Sequence, residues 1–254
     1  MLHQYGLVGF PLGHSFSKRY FTEKFAAEGI PAEYELFPLS GIDQMIDLIS
    51  RHPELKGLNV TIPYKKEVIP YLDALSEEAR AIGAVNTICI ARSGQSVHLK
   101  GWNTDAGAFE AEISEFTDGN TGNALLLGNG GAASAAGYVL KKMGWTVIQA
   151  VRKPPVENEN TLLYSAIGKE IMQSTKLIVN ATPAGMFPES GTMPAVPVEL
   201  LTPQHFVFDM VYNPEVTRLM KEGMKRGASV RNGLGMLHRQ AELAWKIWTE
   251  SCGK

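Results

Sequence analysis

Apolar positions along this chain recur with two periods. Short apolar runs with a period near two, the mark of strands, are separated by stretches whose apolar residues lie three and four apart, the mark of helices. Over the first hundred residues the pattern predicts strands at 5–10, 33–38, 57–61 and 84–91, with helices at 17–28, 42–51 and 76–82. Pro63 and Pro70 punctuate the third connection. A second series starts near Asp105. A helix is expected at 106–116, a buried strand at 123–127, and a helix of small residues at 131–143 that Gly144 would stop. Strands follow at 146–151, 177–180, 206–210 and 229–230. Asn213, Pro214 and Glu215 read as a helix start: a cap, a proline in the first turn, then an acid. Gly227 closes that helix, and a last one at 235–250 carries Leu237, Ala241, Ala244, Trp245 and Trp248 as a packing face. Strands alternating with helices predict α/β structure with parallel sheets. Two such series in one chain predict two small α/β domains.

Composition narrows the classes. The 254 residues are 44% hydrophobic and 20% charged, which excludes general disorder. Lys plus Arg number 24 against 26 Asp plus Glu, a net charge of −2 that argues against a nucleic-acid partner. No apolar run approaches the ~18 residues of a membrane span, and the first residues lack the basic region of a signal peptide. Cys89 and Cys252 form no CxxC and no disulfide framework, so a reduced, cytoplasmic setting is expected. No internal repeat is present.

The sharpest local motif runs Gly128-Asn129-Gly130-Gly131-Ala132-Ala133, a G-x-G-x-x-A placed after a strand and before a helix. The first glycine allows the tight turn, the second lets backbone approach a pyrophosphate, and the alanine lets the helix pack closely on the sheet. The helix N-terminus then presents amides and a positive dipole to phosphate. NAD-binding units usually end their second strand near an acid that bonds the ribose. Here that strand ends in Arg152 and Lys153, cations suited to a 2′-phosphate, so NADP is favoured; the other reading is two solvated surface charges.

Three further clusters are weaker alone. Asn59 and Thr61 share one strand face, and Lys65 follows a proline-fixed turn, where spacing alone suggests a surface lysine. In Asn103-Thr104-Asp105, Thr104 or Asp105 could simply cap the next helix, and Ser17 read alone is also an N-cap. The six histidines show no paired ligand spacing, so no metal is expected. No G-x-S-x-G elbow is present, so acyl transfer has no support.

Taken in order, these clusters resemble the shikimate dehydrogenase family from Gly6 to the last helix. The matching pieces are GFPLGHSFS (9–17), NVTIPYKK (59–66), GAVNT (83–87), NTDAGAF (103–109), GNGGAASA (128–135), NATPAGM (180–186), DMVYNPEVT (209–217) and GLGMLHRQA (233–241). The resemblance implies an N-terminal α/β substrate-binding catalytic domain, 1–104 with the C-terminal helix 236–254, and a Rossmann-like NADP-binding domain, 105–235. The implied reaction is NADPH-dependent, reversible reduction of 3-dehydroshikimate to shikimate in aromatic amino acid biosynthesis. Lys65 and Asp105 match the catalytic pair, and Ser15 and Ser17 the serines that bond the substrate carboxylate. Asn59, Thr61, Asn86, Tyr212 and Gln240 match positions around the substrate ring. Gly128, Asn129, Gly130, Gly131 and Ala132 match the pyrophosphate loop. Arg152, with Lys153 beside it, matches the 2′-phosphate site; Thr182, Met210, Gly235 and Met236 match the nicotinamide site. No membrane partner is implied, and the state is a monomer or homodimer. The chain departs from the family at Lys18, Val151, Lys153, Ser134 and Pro183, where Pro, Asn, Thr, Arg and Ser are usual. A quinate/shikimate dehydrogenase using NAD is the nearest alternative; a non-catalytic NADP-binding regulatory protein is the alternative of another class.

Overall fold

The structure is a computed structural model that describes residues 2–13, 15–153 and 161–252. It divides into two compact units, Met1–Thr104 with Ala241–Lys254, and Asp105–Gln240.

The first unit holds strands β1 (His3–Gly9), β2 (Ala32–Pro38), β3 (Leu55–Val60), β4 (Ala74–Leu75), β5 (Thr87–Ser93) and β6 (Ser96–Trp102), with helices α1 (Phe16–Glu28), α2 (Gln44–Arg51) and α3 (Glu77–Ile82). The strand order is β2-β1-β3-β5-β6-β4. β1 runs parallel to both neighbours, but β5 is antiparallel to β3 and to β6, so the expectation of a wholly parallel sheet is corrected. The cause is local. Ser93 pairs with Ser96 across two residues, and Gly94 takes a φ of 58°. A two-residue connection can only reverse the chain. The pattern of residues 96–102 did not predict β6, because only Leu99 and Gly101 of that strand are buried and no apolar run marks it.

Period two sends alternate residues of β1 to opposite faces. Val8 packs with Met45, Ile49, Leu58 and Ile90, while Tyr5 and Leu7 pack with Phe21, Phe25, Tyr34 and Trp248. The last helix is divided between the units, and Ala241, Ala244 and Trp248 are buried in the aromatic cluster of the first. Seating that helix on the sheet brings Cys252 beside Cys89 of β5, with Cα atoms 5.5 Å apart. The 163 residues between them leave no local spacing that announces this proximity.

The second unit comprises α4 (Thr104–Phe116, entered from the first unit at its first residue), β7 (Asn123–Leu127), α5 (Gly131–Lys142), β8 (Thr146–Val151), β9 (Thr161–Leu163), α6 (Lys169–Ser174), β10 (Thr175–Asn180), β11 (Phe206–Asp209), α7 (Arg218–Lys225) and β12 (Ser229–Asn232). The shared final helix is α8 (Leu234–Glu250). All pairings are parallel, in the order β9-β8-β7-β10-β11-β12. Counted from β7 this is the 3-2-1-4-5-6 order of dinucleotide-binding sheets, whose ligands lie beyond the strand ends where the order reverses, here between β7 and β10. Ala124–Leu127 are buried without interruption, as parallel strands covered on both faces must be.

The expected helix start at Asn213–Glu215 is corrected. α7 begins after Thr217, whose hydroxyl accepts from the amide of Met220 at 3.3 Å and donates to buried Asp209 at 2.6 Å. A cap with two partners outcompetes the Asn-Pro-Glu signal upstream. The loop 154–160, to which the sequence assigns no role, lies outside the described residues.

Candidate active site

Five of the sequence-predicted residues sit around the ends of β1, β3 and α1 in the first unit. Ser15 is the N-cap of α1, with extended backbone, and its hydroxyl accepts from Lys18 N at 3.4 Å. The reading of Ser17 as a cap is therefore corrected: it is the second residue of the helix. Asn59 is buried on β3. Its Oδ1 accepts from the Tyr34 hydroxyl at 2.8 Å, and its Nδ2 donates to Asn86 O and Thr87 Oγ1, both at 3.2 Å. Thr61, just beyond β3, donates its amide to Val8 O at 2.9 Å and packs against Gly9.

Lys65 sits in the following turn, which is held at two points. The Tyr64 hydroxyl donates to Leu39 O at 2.6 Å, and Val85 N donates to Lys65 O at 2.7 Å. The next residue, Asn86, uses its Oδ1 to accept from Thr104 N at 2.7 Å and its Nδ2 to donate to Thr104 Oγ1 at 3.0 Å. Asn86 thus caps α4 from 18 residues away, and Thr104 and Asp105 lie inside the first turn rather than serving as its cap. Asp105 is buried. Consecutive residues of one segment therefore hold the backbone of Lys65 and the residue before Asp105.

In the second unit, Gly128 ends β7 with a φ of 109°, in the left-handed half of backbone space that glycine tolerates, and a Cβ there would lie 2.9 Å from Thr182 Cγ2. Gly130 is the extended N-cap of α5, and Gly131 and Ala132 open the helix. Among the described residues, no heavy atom lies within 4 Å of where a Gly130 Cβ would stand. Asn129 lies between the two glycines. Behind the loop, Ala133, Ala135, Ala136 and Val139 are buried, so the small residues let α5 close on the sheet. Arg152 and Lys153 are exposed directly after β8.

A buried network shapes the ends of β10 and β11. Asn180 Oδ1 accepts from the amide and hydroxyl of Thr182 at 3.0 and 2.7 Å, and Asn180 Nδ2 donates to Asp209 Oδ1 at 2.8 Å. Asp209 also accepts from Val211 N and Thr217 Oγ1. Burial pushes its carboxyl up to about 6 against the pull of these three bonds. Met210 N donates to Asn180 O, which fixes the strand end before Tyr212. On α8, Met236 and Gln240 are buried, and Gln240 Nε2 donates to Leu237 O. Gly235 lies against Glu112 of α4, itself bonded by Arg239 and Arg231. Among the described residues no group of three His, Cys, Asp or Glu could hold a metal ion.

Sequence reasoning assigned no role to Tyr34, Thr87, Asn180, Asp209 or Glu112. Thr87, Asn180 and Asp209 stood in quoted motifs, and their polar side chains at the ends of apolar strands were the available signal. Tyr34 and Glu112 act through contacts between elements and left none.

Comparison with known proteins adds three findings. A family profile described as the shikimate dehydrogenase substrate binding domain matches residues 7–88. A shikimate dehydrogenase (NADP(+)) of Geobacillus kaustophilus is 38% identical, over 96% of this chain and 92% of its own length. Among solved structures, a shikimate dehydrogenase in complex with NADP+ has a TM-score of 0.86 at 32% identity, covering 99% of this chain and 91% of that one. A quinate dehydrogenase from Corynebacterium glutamicum in complex with NAD has a TM-score of 0.84 at 28% identity, covering 99% and 95%.

Proposed function

The chain belongs to the shikimate dehydrogenase family, and we propose how its own residues carry the family's reaction. It is an NADP-dependent oxidoreductase acting on a CH–OH group, interconverting 3-dehydroshikimate and shikimate in the shikimate pathway. The loop after β7 suits a pyrophosphate. It offers open space at Gly130 and the first amides of α5, which have no preceding helical carbonyl to bind. Gly128, Asn129, Gly131 and Ala132 complete that loop, and Thr182, Met210, Gly235 and Met236 would enclose the nicotinamide. Arg152 and Lys153 would take the 2′-phosphate. When bound, NADPH supplies the hydride.

The remaining tasks fall to side chains. Ser15 and Ser17 would donate to the substrate carboxylate, which needs donors but no counter-charge. Asn59, Thr61, Tyr212 and Gln240 would bond the ring hydroxyls. Asn86 gives one amide hydrogen to Thr104 and would give the other to the substrate. Lys65 would deliver the proton to the carbonyl oxygen as it gains charge, with Asp105 orienting the same region. One observation carries this assignment: Val85 N on Lys65 O and Asn86 Oδ1 on Thr104 N, both at 2.7 Å. Two adjacent residues thereby fix the backbone at Lys65 and immediately before Asp105. A catalytic pair needs such support, since misplacement by about 1 Å costs on the order of 10²-fold in rate.

We further propose a cytoplasmic enzyme working as a monomer or homodimer. No helix among the described residues is long and apolar enough to cross a membrane. The replacements of the usual loop arginine by Ser134 and of the usual threonine by Lys153 favour the quinate-type, NAD-using alternative. The test is absorbance in the NADPH band with shikimate and NADP+, then with quinate and with NAD+. The proposal expects the highest kcat/KM for shikimate with NADP+; a preference for quinate with NAD+ overturns it.

A further inference from the structure

Asn59 of β3 is bonded by a side chain to which no function has been assigned. Tyr34, in β2, is 2% exposed, stacked on Phe21 with ring centroids 4.8 Å apart and tilted against Trp248 at 6.4 Å. Its hydroxyl donates to Asn59 Oδ1 at 2.8 Å. A phenol has one proton and a carboxamide oxygen only accepts, so that proton is committed to Asn59.

The direction continues beyond Asn59. Its Nδ2 donates to Asn86 O and to Thr87 Oγ1, and Thr87 Oγ1 donates to Asn86 Oδ1 at 3.1 Å. Each donor in this run, the Tyr34 phenol, the Asn59 amide and the Thr87 hydroxyl, has an acceptor. Rotating the Asn59 carboxamide by half a turn would set its NH2 against the phenol proton and its oxygen against the Asn86 carbonyl. The orientation of that amide is thus fixed at both ends. Burial pushes the Tyr34 phenol far above its ordinary range, so it stays neutral and serves only as a hydrogen-bonding group.

We propose that Tyr34 is a positioning residue for the substrate, locking the Asn59 carboxamide in the orientation that meets a ring hydroxyl. The inference rests on the reading that Asn59 binds substrate. Losing Tyr34 Oη therefore affects the orientation of Asn59.

Tyr34→Phe keeps the ring and its packing while removing the oxygen. Steady-state kinetics of this variant should show a shikimate KM raised roughly 3- to 10-fold, the effect of one neutral hydrogen bond. The kcat should stay within about twofold and the NADP+ KM should not move, since the reacting atoms and the cofactor loop are untouched. A lower thermal midpoint with an unchanged shikimate KM would show a purely structural tyrosine and overturn the proposal. Asn59→Ala separates the layers. If Asn59→Ala leaves the shikimate KM unchanged, the reading of the site fails; if it raises KM and Tyr34→Phe does not, the inference about Tyr34 alone fails. In the double variant the shikimate KM should match that of Asn59→Ala, because Tyr34 acts through Asn59, and fully multiplicative effects contradict this. Should Tyr34→Phe not fold, Thr87→Val releases the other end of the same carboxamide, and an unchanged shikimate KM there also overturns the lock.

Discussion

Glu112 and Gly235 approach so closely that a Cβ on residue 235 would lie 2.4 Å from the Glu112 Oε1. Neither oxygen of Glu112 can turn aside freely. Oε1 accepts from Arg239 Nε at 2.8 Å and Oε2 from Arg231 Nη1 at 3.4 Å, with the side chain buried. The first turn of α8, with Gly235 and Met236, is thereby pinned on α4, the helix whose first turn carries Asp105. Gly235→Ala should cost about 1–3 kcal/mol of stability, the range for overpacking, and should lower kcat as the turn shifts. Thermal unfolding and steady-state kinetics check both; an unchanged midpoint and rate would contradict the close packing.

Gly130→Ala should behave in the opposite way. Its φ is −74°, which alanine adopts without strain, and no described heavy atom lies within 4 Å of the new methyl. Stability should change by no more than about 1 kcal/mol, the range of N-cap effects. The KM for NADP+ and for NAD+ should rise together, on the order of 10-fold, because the methyl takes space that the shared pyrophosphate needs. A cofactor KM that does not change would remove this loop from the binding site.

Arg152→Ala should distinguish the two cofactors instead. Only NADP+ carries a 2′-phosphate, and Arg152 stands exposed at the end of β8, where the adenosine ribose lies in this topology. NADP+ binding should weaken by about 1.5–3 kcal/mol, the value of a bond to a charged group, while NAD+ kinetics stay flat. The NADP+ effect should shrink at high salt, since exposed charges are screened. Equal losses for both cofactors would make Arg152 a structural residue.

The carboxyl of Asp209 is raised from 3.8 to about 6, so the folded state holds its proton more tightly than the unfolded chain. The sign follows from linkage. Between about pH 6 and 4 the folded state takes up the proton first, and this group's contribution to stability rises as pH falls. At neutral pH the same group opposes folding by roughly 3 kcal/mol relative to its protonated form. The stability difference between the wild type and Asp209→Asn, followed by denaturant unfolding from pH 7.5 to 4, should shift toward the wild type as pH falls. A difference independent of pH would show a carboxyl of ordinary affinity.

How much of this was legible depended on where the signal resides. The strands 123–127 and 146–151 agree with β7 and β8 to the residue, because Ala124–Leu127 are an unbroken apolar run and Gly144 closes the helix before β8. β6 was not legible because its outer face is exposed. The start of α7 was misplaced because Thr217 gains a partner, Asp209, eight residues away in sequence. In the site, the residues proposed to contact ligands stand in recognisable motifs, Arg152 and Lys153 aside. Those that orient them do not: Tyr34 lies 25 residues from Asn59, and Arg239 lies 127 from Glu112. Ser15 and Ser17 illustrate the limit. Either could cap α1 by type, and only the backbone of Ser15, at φ −98° and ψ 124°, decides between them.

The central claim is that Lys65, whose backbone Val85 holds, and Asp105, whose preceding residue Asn86 holds, carry the proton chemistry. The most direct measurement is kcat and KM of Lys65→Ala and Asp105→Asn with shikimate and NADP+, with thermal midpoints recorded alongside. The account predicts that each loses roughly 10²–10⁴-fold in kcat, the range of a general acid–base group. The KM for shikimate should change far less, because the missing interaction belongs to the transition state. A folded variant of either residue that keeps a near-normal kcat would contradict the account.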